Sequence, residues 1–185
     1  DRYDSVDYLS GNGVDVCMVD SGIDMTHSDL SDLNLADWSD FIASKSNPYD
    51  DNGHGTMMAG ILVADGALTG IATDVNLYVA KALSGAGEGD DSTVAQAIDW
   101  CVSKNVNIIS LSLGGNASGF SIILGDAVED AVENAYEAGI VVVAAAGNDG
   151  QNDDGDVSSP GIVDTVICVG GVDVNGNLWD GSSIG

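Results

Sequence analysis

The stretch Ile140-Val-Val-Val-Ala-Ala-Ala-Gly-Asn148 decides the fold class. Its apolar residues run without a polar break, so neither face of it is built for water. A short, β-branched run of this kind fits a strand covered on both sides, the habit of parallel sheets. Just upstream, residues 121–138 carry apolar side chains at helical spacing and stop against Gly139, a natural residue just past a helix end. The same order recurs toward the N-terminus. Residues 92–103 read as a helix before an apolar run at 107–113, and His54–Val63 as a helix before a run at 77–82. Runs at 14–19 and 165–169 open and close the series, and Ser92 is the expected N-cap of its helix. Strand and helix in alternation predict an α/β fold, a mainly parallel sheet flanked by helices on both faces. The Gly/Asp/Asn-rich stretches 149–161 and 173–181 read as loops.

In open parallel sheets, ligands sit beyond the carboxyl ends of the strands. Asp20, residues 84–91, residues 112–115 and residues 147–149 occupy those places. Asp20 ends an apolar run and precedes Ser21-Gly22, where a partly buried carboxylate can orient an imidazole. His54 stands in Asp51-Asn-Gly-His-Gly-Thr56, with glycines that let a helix start press against neighbouring backbone. Asn148 offers a side-chain amide where an oxyanion could be held. Taken singly, each has a plainer reading: Asp20 as a turn cap, His54 as a packing histidine, Asn148 as a loop anchor. Together they make three of the four parts of an acyl-transfer site.

Composition narrows the partners. The chain has 185 residues with 30 Asp or Glu against 4 Lys or Arg, a formal net charge of −26. With 44% hydrophobic residues it supports a core rather than disorder, and its length suits one domain or most of one. Such a surface repels phosphate backbones, so nucleic acid is an unsuitable partner. No apolar run approaches the ~20 residues of a membrane span, and no secretory leader is visible. Acids at Asp126, Glu129, Asp130, Glu133 and Glu137 share one face of the third helix, opposite Ala127, Val128, Ala131, Val132, Ala135 and Tyr136. Like charges at i, i+4 disfavour a helix slightly and are relieved by salt, so a salt-adapted surface is one expectation and an ordinary solvated face the other. The three cysteines, Cys17, Cys101 and Cys168, form no CxxC pair. Buried thiols are the expected state, with a single disulfide left open.

Four motifs carry a resemblance. Asp20-Ser-Gly-Ile-Asp24, Asn52-Gly-His-Gly-Thr56, Ser112-Leu-Gly-Gly115 and Ala144-Ala-Ala-Gly-Asn-Asp-Gly150 are similar, in kind and order, to those of the subtilisin-like serine peptidases. The resemblance implies a serine endopeptidase acting through an acyl-enzyme, with Asp20 as triad acid, His54 as general base and Asn148 as oxyanion donor. His27 falls where the family commonly has a non-catalytic histidine. Ser112, Leu113, Gly114 and Gly115 resemble one wall of the pocket for the residue before the cleaved bond, and Ala145, Ala146 and Gly147 the other. Gly87, Glu88 and Gly89 resemble the edge segment that takes peptide substrate as an added strand. The implied partners are a peptide or protein substrate and a prodomain, and the implied location is extracellular. Asp29 resembles a calcium ligand, although residues 64–70 look short for the loop that completes such a cage. No organic cofactor is implied.

One part is missing. The family carries its nucleophile in a Gly-Thr-Ser-Met-Ala-like helix start, and no such segment occurs here. Ser182-Ser-Ile-Gly185 resembles a turn that precedes it. The expectation is therefore a partial catalytic domain over residues 1–185, inactive as written. The alternative is a catalytically silent, peptide-binding relative. A nucleotide-binding domain is disfavoured, because Asp90 breaks the G-x-G-x-x-G spacing that Gly85 and Gly87 begin. Asp173-Val-Asn-Gly-Asn177 has the opening of a calcium loop but lacks its later residues and reads as a turn. Acids at Glu88, Asp90, Asp91 and Asp149 crowd the expected cleft. They point either to a preference for cationic side chains or to no more than the general surface charge.

Overall fold

A computed structural model of the chain describes residues 10–115, 126–150 and 157–184. Its centre is a six-stranded parallel sheet in the order β2-β3-β1-β4-β5-β6. The strands are β1 (Asp15–Asp20), β2 (Leu35–Asp40), β3 (Asn76–Lys81), β4 (Ile108–Leu111), β5 (Val141–Ala145) and β6 (Ile167–Val169). The helices are α1 (His54–Val63), α2 (Asp91–Ser103) and α3 (Asp126–Glu137). The expected class, a mainly parallel sheet between helices, is the one found.

Alternation along β1 shows how the layers form. Cys17 and Val19 pack with Val94, Ile98 and Cys101 of α2 and with Val128 and Val132 of α3. Val16 and Met18 point the other way, into a cluster with Ile23, Leu30, and Ala59 and Val63 of α1. Both faces of β1 are thus buried, which accounts for its unbroken apolar run. β1 lies between β3 and β4, its partners on either side. The chain runs to β2 and β3 on one side and then crosses to β4 on the other, so a crevice opens at β1's carboxyl end.

Several expectations shift in detail. β2 has no counterpart in the sequence-based reading: Leu-Ala-Asp-Trp-Ser-Asp carries two acids, and the strand is an edge on which only Asp40 is buried. The N-cap of α2 is Asp90 rather than Ser92; its carboxylate accepts from Thr93 N at 2.8 Å, and the Ser92 hydroxyl donates to it at 2.7 Å. In α3, Val128, Ala131, Val132 and Ala135 are buried as expected. Tyr136 and Ala127 are exposed instead of joining that face. Residues 121–125 of that expected helix lie outside the described residues. Gly139 takes φ +83°, as a residue just past a helix should.

The thiol expectation is corrected. Cys17 and Cys101 form a disulfide between β1 and α2, 84 positions apart. They face each other because the inward stripe of α2 lies on β1. Cys168 is a free, exposed thiol on β6. No helix among the described residues is long and apolar enough to cross a membrane.

Candidate active site

The site begins where two backbones touch. Gly22, at φ +122°, lies so close to Tyr49 that a Cβ there would overlap its carbonyl oxygen. A Cβ on Gly55 would overlap the Gly22 carbonyl in turn. These two glycines let the start of α1 seat against the turn that follows β1. The Ser21 hydroxyl fastens the seat: it accepts from Gly55 N at 2.9 Å and donates to Asp50 Oδ1 at 2.9 Å.

That contact brings Asp20 and His54 together. His54 Nδ1 lies 2.8 Å from Asp20 Oδ1 and 3.0 Å from Oδ2. Facing a carboxylate, which accepts, Nδ1 carries the proton and Nε2 is left as the basic nitrogen. Asp20 is fully buried and also accepts from Ser21 N at 2.6 Å. The Asp20 hydrogen bond favours the imidazolium and raises the His54 pKa above its ordinary value, against the opposing pull of burial; the charges of Asp20 and Asp50 add to the rise. His27 is placed elsewhere. Its Nδ1 accepts from Asp29 N at 3.2 Å, a local cap on the Ser28–Leu30 turn.

Asp50 was not singled out from the sequence, yet it organises the helix start. It accepts from Asn52 N, Gly53 N, Thr56 N and the Thr56 and Ser21 hydroxyls. Burial pushes its carboxyl up, but these donors outweigh that and bring it down to about 2. Its position four residues before His54 was the available signal. Lys81 was missed as well. It is fully buried, and a lone cation ending an apolar strand was its signal.

Asn148 is exposed just beyond β5, on the same carboxyl edge of the sheet as Asp20. Its turn is held by buried Ser183, whose N donates to Gly147 O at 3.1 Å and whose hydroxyl accepts from Asp149 N at 3.2 Å. Ser112, Leu113, Gly114 and Gly115 continue from β4, while Ala145, Ala146 and Gly147 end and follow β5. Those two strands are paired up to Leu111 and Ala144, so both sets leave the sheet side by side.

The segment Gly87, Glu88 and Gly89 is folded into a turn rather than extended. Gly87 N donates to Ser84 O at 2.9 Å, and Ser84 N donates to Glu88 O at 2.8 Å. Glu88 N also donates to the Ser84 hydroxyl at 3.3 Å, so three of the segment's backbone groups are already engaged. Asn52 Nδ2 donates to Gly85 O at 3.2 Å, tying this turn to the loop before His54. Asp90 and Asp91, two of the cleft acids, hold helix starts. Asp90 caps α2, and the Asp91 carboxylate accepts from Ala127 N and Val128 N at the start of α3, at 3.2 and 3.3 Å.

The residues around Asp29 do not fit a calcium ion. Its Oδ1 accepts from Ala67 N at 3.1 Å and Oδ2 from Leu68 N at 3.2 Å. Ala67's amide, the largest influence, lowers the carboxyl's pKa. Amide N–H groups thus occupy the side of this carboxylate where a calcium cage would need further oxygens. Among the described residues there is no group of three or more His, Cys, Asp or Glu placed to hold a metal. Asp173 is likewise used in a turn, accepting from Asn175 N and Asn177 N.

Comparison with known proteins bears directly on this geometry. The profile of the Subtilase family, peptidase S8, matches residues 11–185. The chain is a subtilase. It is 39% identical over 179 residues to serine protease AprX of Bacillus subtilis strain 168, covering 90% of this chain and 40% of that one. It is 38% identical over 179 residues to subtilisin DY of Bacillus licheniformis, covering 95% of this chain and 62% of that one. A crystal structure of a cold-adapted subtilisin-like serine proteinase superposes with a TM-score of 0.80 at 28% identity, over 96% of this chain and 61% of that one. This subtilase stretch therefore spans 40–62% of the length of those relatives. The parallel sheet with flanking helices is the subtilisin-like fold.

Proposed function

We propose that this subtilase is the acid-and-base portion of a serine endopeptidase that cleaves peptide bonds through an acyl-enzyme. The observation that carries the reading is the bond from His54 Nδ1 to fully buried Asp20, 2.8 Å to Oδ1. In this reading Asp20 fixes the ring so that Nε2 is the basic nitrogen, and stabilises the imidazolium once a proton is taken. Nε2 removes the proton from a serine hydroxyl and then delivers it to the leaving amine. The Asn148 amide donates to the oxygen that gains charge in the tetrahedral intermediate. Ser112–Gly115 and Ala145–Gly147 would flank the side chain before the cleaved bond. Substrate would add as a strand beside the 87–89 turn, where pairing must use groups other than Gly87 N, Glu88 N and Glu88 O. The nucleophile is a serine outside residues 1–185, and a prodomain belongs to the same reading.

An extracellular location is part of the proposal. The buried Cys17–Cys101 disulfide suits an oxidising compartment, and one relative, 36% identical over 180 residues, is named a minor extracellular protease. No calcium role is proposed for Asp29, given its amide partners.

The test is expression from the complete reading frame and treatment with a serine-directed phosphonate. We expect one serine labelled, and casein hydrolysis lowered about 10⁶-fold in His54→Ala, the order seen when subtilisin loses its base. Full-length protein that takes no label and cleaves nothing, yet binds peptide, would overturn the peptidase reading in favour of a silent binder.

A further inference from the structure

Among the described residues, Lys81 is a fully buried cation that the mechanism above leaves without a task. It ends β3 directly beside Asp20, its register partner in β1, and is fully buried. A buried ammonium is costly unless each proton finds an acceptor. Here three do: Nζ donates to Ser21 O, to Asp51 Oδ1 at 2.7 Å and to Leu83 O at 2.8 Å.

The three acceptors belong to three different pieces of the site. Ser21 follows Asp20 in the turn after β1. Asp51 lies three residues before His54, and its side chain is 49% exposed, reaching in from the surface. Leu83 leads into the 84–89 turn. One cation therefore fastens the acid, the base and the segment proposed to take substrate. An apolar residue of similar volume would fill the space but leave two buried carbonyls without this donor.

We propose that Lys81 is a positioning residue for the Asp20–His54 pair, holding the Ser21 turn and the Asp51 loop in the register that lets the two side chains meet. It touches neither substrate nor reacting atom. This inference rests on the peptidase reading for its meaning, but its test does not use peptidase activity.

The readout is the ring Nδ1–H proton of His54, followed by NMR in the protein expressed from its complete reading frame and identified as the signal that His54→Ala removes. His27 does not compete with it, because its Nδ1 is an acceptor. In Lys81→Met that still melts cooperatively, we expect the signal to be lost to exchange with water, while the core amides of Ile109 and Val142 keep their exchange rates. A purely structural role would speed core and ring exchange alike. If Lys81→Met does not melt cooperatively, Asp51→Ala decides, because it removes one anchor from the exposed side. There we expect exchange of the His54 proton to quicken by about tenfold or more, the loss expected for one charge-assisted hydrogen bond, with Asp51→Asn, which still accepts from Nζ, restoring it. A native exchange rate in the deciding variant, or acceleration shared equally by the core amides, overturns the proposal. The unaltered chain separates the two failures: without a protected Nδ1–H there, the Asp20–His54 pair itself fails, and the peptidase reading with it.

Discussion

Gly22 and Gly55 meet backbone to backbone, with no room for a β-carbon on the helix side. This contact fixes how far His54 stands from Asp20, since each side chain is one residue or two from the touching glycines. Gly55→Ala is expected to lower folding stability by about 1–3 kcal/mol, the usual cost of overpacking, and to lengthen the His54–Asp20 bond. Thermal melts and the chemical shift of the His54 ring proton check the two halves.

The raised pKa of His54 has a definite sign. The folded protein holds the ring proton more tightly than the unfolded chain, whose histidines titrate near ~6.5. This stabilisation is fully present below the unfolded value and is lost as pH rises through the folded one. An NMR titration of the chain should place His54 above the ordinary histidine value, and Asp20→Asn should bring it down. On the proposed peptidase reading, kcat/KM of the full-length protein should fall as acidity protonates Nε2, with a midpoint on the same side of the ordinary value.

Asp50 predicts the opposite window. Its carboxyl stands at about 2 in the folded protein against ~3.9 when unfolded. Its contribution is present above the unfolded value and disappears as pH drops from about 4 toward 2. Asp50→Asn should flatten acid unfolding in that range and, by weakening the α1 start, lower the melting temperature at neutral pH.

Reduction of the Cys17–Cys101 bridge should destabilise the fold. A closed loop of this size removes about 4–5 kcal/mol of chain entropy from the unfolded state, and measured losses run roughly 2–5 kcal/mol. Because both cysteines are fully buried, reductant alone should act slowly, and only with denaturant should it act fast. Urea midpoints with and without reductant measure the difference.

The net charge of −26 predicts a response to salt. On α3, Asp126, Asp130, Glu133 and Glu137 are exposed together. Raising salt from 0.1 M to 1 M shortens the screening length from about 10 Å to about 3 Å, and the melting temperature should climb. Chelator at fixed ionic strength should leave the Asp29 turn intact, since amides rather than a cation hold it. Asp29→Ala should loosen that turn and lower the melting temperature with or without calcium.

The legible parts of this fold were those that repeat. β1, β3, β4 and β5 declared themselves because strands covered on both faces need mostly apolar runs, and the start of α1 was marked by the glycines on either side of His54. β2 stayed hidden because an edge strand needs little apolar signal and this one carries acids. The α2 cap moved from Ser92 to Asp90 because a carboxylate in extended backbone competes well with a hydroxyl two residues later. Asp20 and His54 were readable from position, each standing beside glycines at the end or start of an element. Lys81, Asp50 and the Cys17–Cys101 pair were not. Some of their partners lie 29 to 84 positions away, and only the packed sheet reveals who faces whom.

The Cys17–Cys101 bond also changes what a broken chain looks like. Asp20, His54, Asp51 and Lys81 all lie within the ring it closes. A single backbone cut anywhere in that ring leaves two ends but one molecule. Under oxidising conditions the nicked ring keeps Asp20 and His54 in one molecule, where the same cut in a linear chain would let the two pieces diffuse apart.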